Sequence, residues 1–201
     1  MGKKRPSRRE ENARATRSLL LDAGRELFSR RGFAGAGIEE IAEHAGVTTG
    51  ALYHHFGNKR GLFRVVAEAM EVELMERAVE LASRQTDPMR GLEAGFKATL
   101  EASLAPDVQQ IVVRDAPNVL GASEWRAIED QYSMGLLRSA IAGFMQAGLL
   151  VPGSPEMVAR TLVSMIVEMA VSIANAGDAS AARRDAEALL DRILAALRTE
   201  G

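Results

Sequence analysis

The run from Gly35 to Phe63, GAGIEEIAEHAGVTTGALYHHFGNKRGLF, restricts what this chain can fold into more than any other stretch. Ile38, Ile41, Ala42 and Ala45 recur at helical spacing, and Gly46 supplies the left-handed residue that stops a helix. Val47 then fills the corner. Thr48 is a good N-cap for a second helix, in which Leu52 and Phe56 face inward while Thr49, Gly50, Tyr53 and His54 share the other side. Asn58 caps a third helix at once. The outer face of the middle helix has no apolar stripe to bury.

A helix of this kind suits insertion into the major groove of DNA. Thr49, Gly50 and Ala51 are small enough to let the backbone approach base edges, and Tyr53, His54 and His55 reach bases or phosphates from the next turn. Lys59 and Arg60 fall in the first turn of the following helix, where free N–H groups already favour an anion, here a DNA phosphate. The candidate DNA-contacting residues are Thr48, Thr49, Gly50, Ala51, Tyr53, His54, His55 and Lys59.

The segment IAEHAGVTTGALYHHFGNKRGLF resembles the helix-turn-helix signature of the TetR (tetracycline-repressor-like) transcriptional regulators. It matches at Ile41, Ala42, Ala45, Gly46, Val47, Gly50, Leu52, Tyr53, His55, Phe56, Lys59 and Leu62. Members of that family usually carry threonine or serine where this chain has Ala36 and Gly37, so a capping hydroxyl and one phosphate contact are missing. Arg60 stands where an acidic residue is common. The resemblance implies a homodimer on a double-stranded DNA operator, a small-molecule effector held in the helical body, and repression relieved by that effector.

The chain has 201 residues, 47% of them hydrophobic and 26% charged, which suits one or two soluble globular domains. It has no cysteine, so disulfides and thiolate zinc sites are excluded and a reducing cytoplasmic location is expected. No apolar segment follows the basic start, so no secretory signal is expected. The overall charge of -2 hides an asymmetry: residues 1–64 hold 13 Lys and Arg against 7 Asp and Glu, while residues 65–201 hold 12 against 20. A basic end on an acidic body fits a nucleic-acid binder with a second function elsewhere.

Taken in order, the periodicity predicts an all-α chain of about nine helices. Residues 1–10 form a basic flexible arm containing Lys3, Lys4, Arg5, Arg8 and Arg9. Residues 11–57 form a three-helix DNA-binding head, and 58–201 a helical ligand-binding and dimerisation domain. The first helix runs from about Glu11 to Arg31 with Thr16, Leu19, Leu20, Ala23, Leu27 and Phe28 inward, and Gly32 ends it. Asn58 to Arg84 reads as one long helix linking head to body. Further helices are expected from Asp87 to Leu104 and from Asp107 to Arg114, with a turn at Pro117–Gly121. Ser123 then caps a helix reaching Gly148, and two more cover about 155–176 and 180–199. The most apolar stretch, Met157 to Ala176, is interrupted by Arg160 and Glu168 and reads as a buried helix rather than a membrane span.

The last two helices carry the expected dimer interface: Leu162, Met165, Ile166, Met169 and Ile173 in one, Leu189, Leu190, Ile193 and Leu197 in the other. Between head and interface, Met70, Leu74, Phe96, Leu100, Leu104, Ile111, Trp125, Met134, Leu137 and Met145 are spaced to face a common interior. That is a candidate pocket for an apolar or amphipathic ligand or, equally, ordinary core.

No catalytic, cofactor or metal site is expected. Gly35-Ala-Gly37 lacks the third glycine of a dinucleotide fingerprint, and Gly121 to Trp125 lacks the closing glycine of a nucleophile elbow. His54 and His55 point about 100° apart on a helix and cannot readily share a metal. The alternative to a DNA-binding regulator is a helical ligand-sensing or protein-interaction module that keeps the head as scaffold.

Overall fold

The computed structural model describes residues 7–199, all of whose regular structure is helical. Nine helices follow in order among these residues. They are α1 (Arg8–Gly35), α2 (Ile38–His44), α3 (Thr49–Phe56), α4 (Lys59–Ser83) and α5 (Pro88–Ala102). Next comes α6, which starts as a wide π-type turn (Val108–Asp115) and tightens into Ala116–Leu120. Helix α7 runs through Ala122–Glu129, a second π segment (Asp130–Met134) and Gly135–Gln146. Helices α8 (Pro155–Ala174) and α9 (Ala179–Ala196) complete the chain.

The local signals explain most boundaries. The Thr48 hydroxyl accepts from the Ala51 amide at 3.2 Å, and the Asn58 side chain accepts from Gly61 N at 2.8 Å. Between α3 and α4 the chain turns so tightly that a Cβ on Gly61 would lie 2.1 Å from the Phe56 carbonyl oxygen, so only glycine fits. Helix α1 starts earlier than its apolar pattern suggests because Ser7 and Glu10 form a reciprocal capping box. Arg8 and Arg9 therefore belong to its first turn and not to an arm, and Lys3, Lys4 and Arg5 lie outside the described residues. Leu20, Ala23, Leu27 and Phe28 are buried as expected, but Leu19 falls beside that stripe and is 49% exposed.

One expected break and one expected cap are absent. Pro117 does not interrupt α6, because the preceding turn is π-wound: the Ala116 amide bonds five residues back to Ile111 O, and the widened turn admits the proline ring. Ser123 is not the cap of α7, which begins at Ala122 after Gly121 with no side-chain cap. The α7–α8 loop is tied to the C-terminal end of the described chain by Val151 N donating to Leu197 O at 2.9 Å.

Head and body share a core. Phe28, Phe33 and Phe63 pack in edge-to-face and tilted contacts with centroids 5.2–5.9 Å apart. The same apolar cluster continues through Met70 to Val108, Ile111, Val112 and Ala116 of α6 and to Trp125 and Ile128 of α7. A boundary at residue 57 thus separates elements by sequence but cuts no gap in packing. A second cluster joins α5, α7, α8 and α9 around Phe96, Ile141, Leu162, Ile166 and Leu190. Helix α8 is the one helix among the described residues with the length and hydropathy of a membrane span. Its Ala159, Leu162, Ile166, Met169, Ala170 and Ile173 are buried in that second cluster.

Candidate DNA-reading head and effector chamber

Helix α3 is held by Leu52, fully buried beneath it, and by Phe56, which packs on the core and lies under the Arg17 guanidinium at 5.4 Å. What remains outward is Gly50, Tyr53 and His54, all exposed, with Thr49, Ala51 and His55 half-buried beside them. A Cβ on Gly50 would meet only the Thr48 hydroxyl, at 3.8 Å, so the helix leaves open space there. Thr48 spends its hydroxyl on the cap, and Gly37 starts α2 with no side-chain cap.

Lys59 is placed differently from the other seven candidates. Its Nζ donates to Phe33 O at 2.8 Å and Ala36 O at 3.0 Å and sits 4.5 Å from the Phe33 ring centroid. The ammonium closes the kinked end of α1, where Gly32 breaks the helix and leaves carbonyls without partners. Lys59→Met is expected to cost about 1–3 kcal/mol of stability in denaturant unfolding by stranding those carbonyls. The salt dependence of DNA binding should stay unchanged. A slope reduced by about one unit would instead show that Lys59 reaches a phosphate.

Several polar contacts clamp the head to the body. Arg25 of α1 bonds Glu73 of α4 and Asp107 at the start of α6, each at 2.8 Å, and the Phe33 amide donates to Asp115 Oδ2 at 2.7 Å. Arg60 donates to the terminal carbonyls of α6, Val119 O and Leu120 O, and pairs with Glu124 of α7, which Arg64 also reaches. A cation at the negative end of a helix is well placed. The unusual Arg60 thus grips the α6–α7 corner.

Pro117 and Trp125, on either side of that corner, line a cavity of about 740 Å³ bounded by α4, α5, α6, α7 and α8. Of the ten expected pocket residues, Leu74, Phe96, Trp125, Met134 and Leu137 line it. The other five do not: Met70 and Ile111 are buried in the head-side core, Leu100 is buried in the second cluster, and Leu104 and Met145 pack against that cluster. Glu71, Glu129 and Ser133 also line the chamber and were not anticipated. Their signal was present: Glu71 follows Ala67 and Met70 and precedes Leu74 on the inward face of α4, and Glu129 follows Trp125 at the same spacing on α7.

The expected dimer residues need correction. Leu162, Ile166, Met169, Ile173 and Leu190 are buried within the single chain, and Met165, Ile193 and Leu197 pack against them. The stripe predicted for a partner is used to seat α8 and α9 on the body. Leu189, 49% exposed, is the member left outside. On the same side of α9 lie Arg192 and Ala196, both exposed.

Comparison with known proteins places both halves. The family model "Bacterial regulatory proteins, tetR family" matches residues 20–66, and "Tetracyclin repressor-like, C-terminal domain" matches residues 89–197. The Transposon Tn10 TetC protein of Escherichia coli is 24% identical over 83% of this chain and 84% of its own. The HTH-type transcriptional regulator AcrR of Shigella flexneri is 31% identical over 52% of this chain, which spans 49% of the AcrR length. Among solved structures, a TetR-family transcriptional regulator from Pectobacterium atrosepticum superposes with a TM-score of 0.80 and 30% identity, covering 97% of this chain and 99% of that one. With the head, the body and the full-length fold all matched, the chain belongs to the TetR family of bacterial transcriptional regulators.

Proposed function

We propose that this protein is a cytoplasmic homodimeric repressor, not an enzyme, whose two heads read a near-palindromic operator and which a small molecule entering the chamber releases. The observation that carries the proposal is mechanical continuity: α3 offers an unobstructed face around Gly50, while Arg60 ties α4 to the α6–α7 corner, which lies between the chamber-lining Pro117 and Trp125. An occupant that displaces α7 moves the grip on α4, and α4 carries the head. Two heads must sit about 34–36 Å apart to occupy successive major grooves. The occupant must favour the released arrangement by about 1–3 kcal/mol or more, since equal affinity for both arrangements shifts nothing.

Thr49 and His54 are the proposed base readers, and Tyr53 and His55 serve phosphates or bases from the same face. Sequencing genomic fragments recovered by the protein at two salt concentrations tests this. An inverted repeat that survives the higher salt, with base preferences changed by Thr49 and His54 variants, is the expected result. Recovery that is blind to sequence would overturn the assignment.

A second copy is proposed to cover the outer face of α8 and α9, where Ala188, Ala195 and Ala196 permit close approach around Leu189. Leu189→Glu is expected to leave helix content intact and give a monomer by light scattering. A dimer of unchanged strength would move the interface elsewhere.

A further inference from the structure

The chamber is mostly apolar, yet α4 and α7 each push a carboxylate into it. Glu71 is 8% exposed, and one of its oxygens accepts from the Ser133 hydroxyl. No donor among the described residues reaches its other oxygen, and no cation lies within ion-pair distance of Glu71 or Glu129. Burying acids without a counter-charge is costly, and two that face one cavity repel each other as well. Two cations share the lining and offset them only in part: Arg160 of α8 is already held by Glu156 and Asp130, and Arg126 of α7 lines the chamber without an ion-pair contact to either acid. Glu168 of α8 adds a further negative group to the lining.

From this arrangement, and resting on the effector-chamber reading above, we propose that the chamber takes an amphipathic organic cation. Its ammonium sits between Glu71 and Glu129, and its apolar body lies against Trp125, Phe96 and Leu137. Such a ligand supplies the contacting counter-charge that neither lining arginine gives and a donor for the second Glu71 oxygen, and aromatic faces such as those of Trp125 and Phe96 suit a cation. A neutral or anionic molecule leaves the acids to be neutralised by protons.

The linkage gives the proposal a sign. Burial, then the charge of Glu71, pushes the Glu129 carboxyl up to about 7; Arg160 and Arg126 pull the other way and Asp130 adds to the rise. Burial also raises Glu71, partly offset by the Ser133 hydrogen bond. A cation binds the ionised form and expels the proton, so its affinity rises with pH through that window. For one group near 7 the rise from pH 6 to pH 8 is about tenfold. A neutral or anionic ligand that binds the protonated form shows the opposite slope.

The test uses the full-length protein and three molecules on one frame: 4-phenylbutylamine, 4-phenylbutanol and 4-phenylbutyrate. Trp125 is the only tryptophan in the chain and lines the chamber, so its fluorescence reports occupancy directly. The expected result is that the amine binds at least tenfold tighter than the alcohol at pH 8, and about tenfold tighter at pH 8 than at pH 6. Glu129→Gln and Glu71→Gln should remove that preference while alcohol binding persists, which shows that the variants are folded. If the alcohol or the acid binds as well as the amine and frees the operator, the cation assignment falls and the effector chamber stands. If none of the three perturbs Trp125, the cation assignment falls, and operator release by none of them counts against the chamber as well.

Discussion

Replacing Gly50 with leucine is expected to leave the protein folded, even slightly more stable, and to remove operator binding. Glycine within a helix costs about 0.5–1 kcal/mol relative to residues with a side chain, and a Cβ here meets nothing closer than 3.8 Å, so thermal unfolding should shift upward by a degree or two. The leucine side chain would then stand between α3 and the base edges. Base and phosphate contacts need hydrogen-bond distances, so holding the helix off the groove loses many together. A loss of at least about a hundredfold in operator affinity is expected, near 2.7 kcal/mol. Unchanged affinity in a gel-shift titration would show that α3 does not lie in the groove. Few substitutions separate stability from function with opposite signs, and this one does so because the position is empty by design of the helix face.

Phe63→Ala is expected to act on the whole molecule. Phe63 is fully buried where α4 leaves the head, in edge-to-face contact with Phe28 and Phe33. Removing it should cost about 3–5 kcal/mol. For a chain of this size that is a fall in melting temperature on the order of 10 °C. Because the apolar cluster runs unbroken from Leu20 of α1 to Trp125 and Ile128 of α7, calorimetry should show one transition moving as a unit. Separate melting of a head from an unaffected body would show that the shared core does not couple them. The same continuity is what the proposed release mechanism needs, since a head that melted alone could not be steered by its body.

What could be read in the chain before folding follows from the range of each interaction. Thr48, Asn58 and Gly46 act within four residues of themselves, so caps and stops were legible, and the three-helix head with them. Periodicity similarly identified the long α4 and the two last helices. It failed where local winding departed from 3.6 residues per turn: the π-type turn in α6 carried Pro117 inside a helix, and α7 began one residue early, at Ala122, so Ser123 has no capping role. It also could not say which of two neighbouring bodies an apolar stripe would meet. The stripes of α8 and α9 were turned largely into their own chain, leaving Leu189 exposed.

The sequence by itself determined a helical chain with a DNA-reading corner, because each of those features is set by residues a turn or two apart. Tertiary structure alone decided what the charged residues do. Lys59 is committed to carbonyls 26 and 23 positions away, and Arg60 to the end of a helix 60 positions on. Glu71 and Glu129 face one cavity only because α4 and α7 pack together. A charge takes its role from what surrounds it, through dielectric and nearby partners, and those surroundings exist only once distant segments have met.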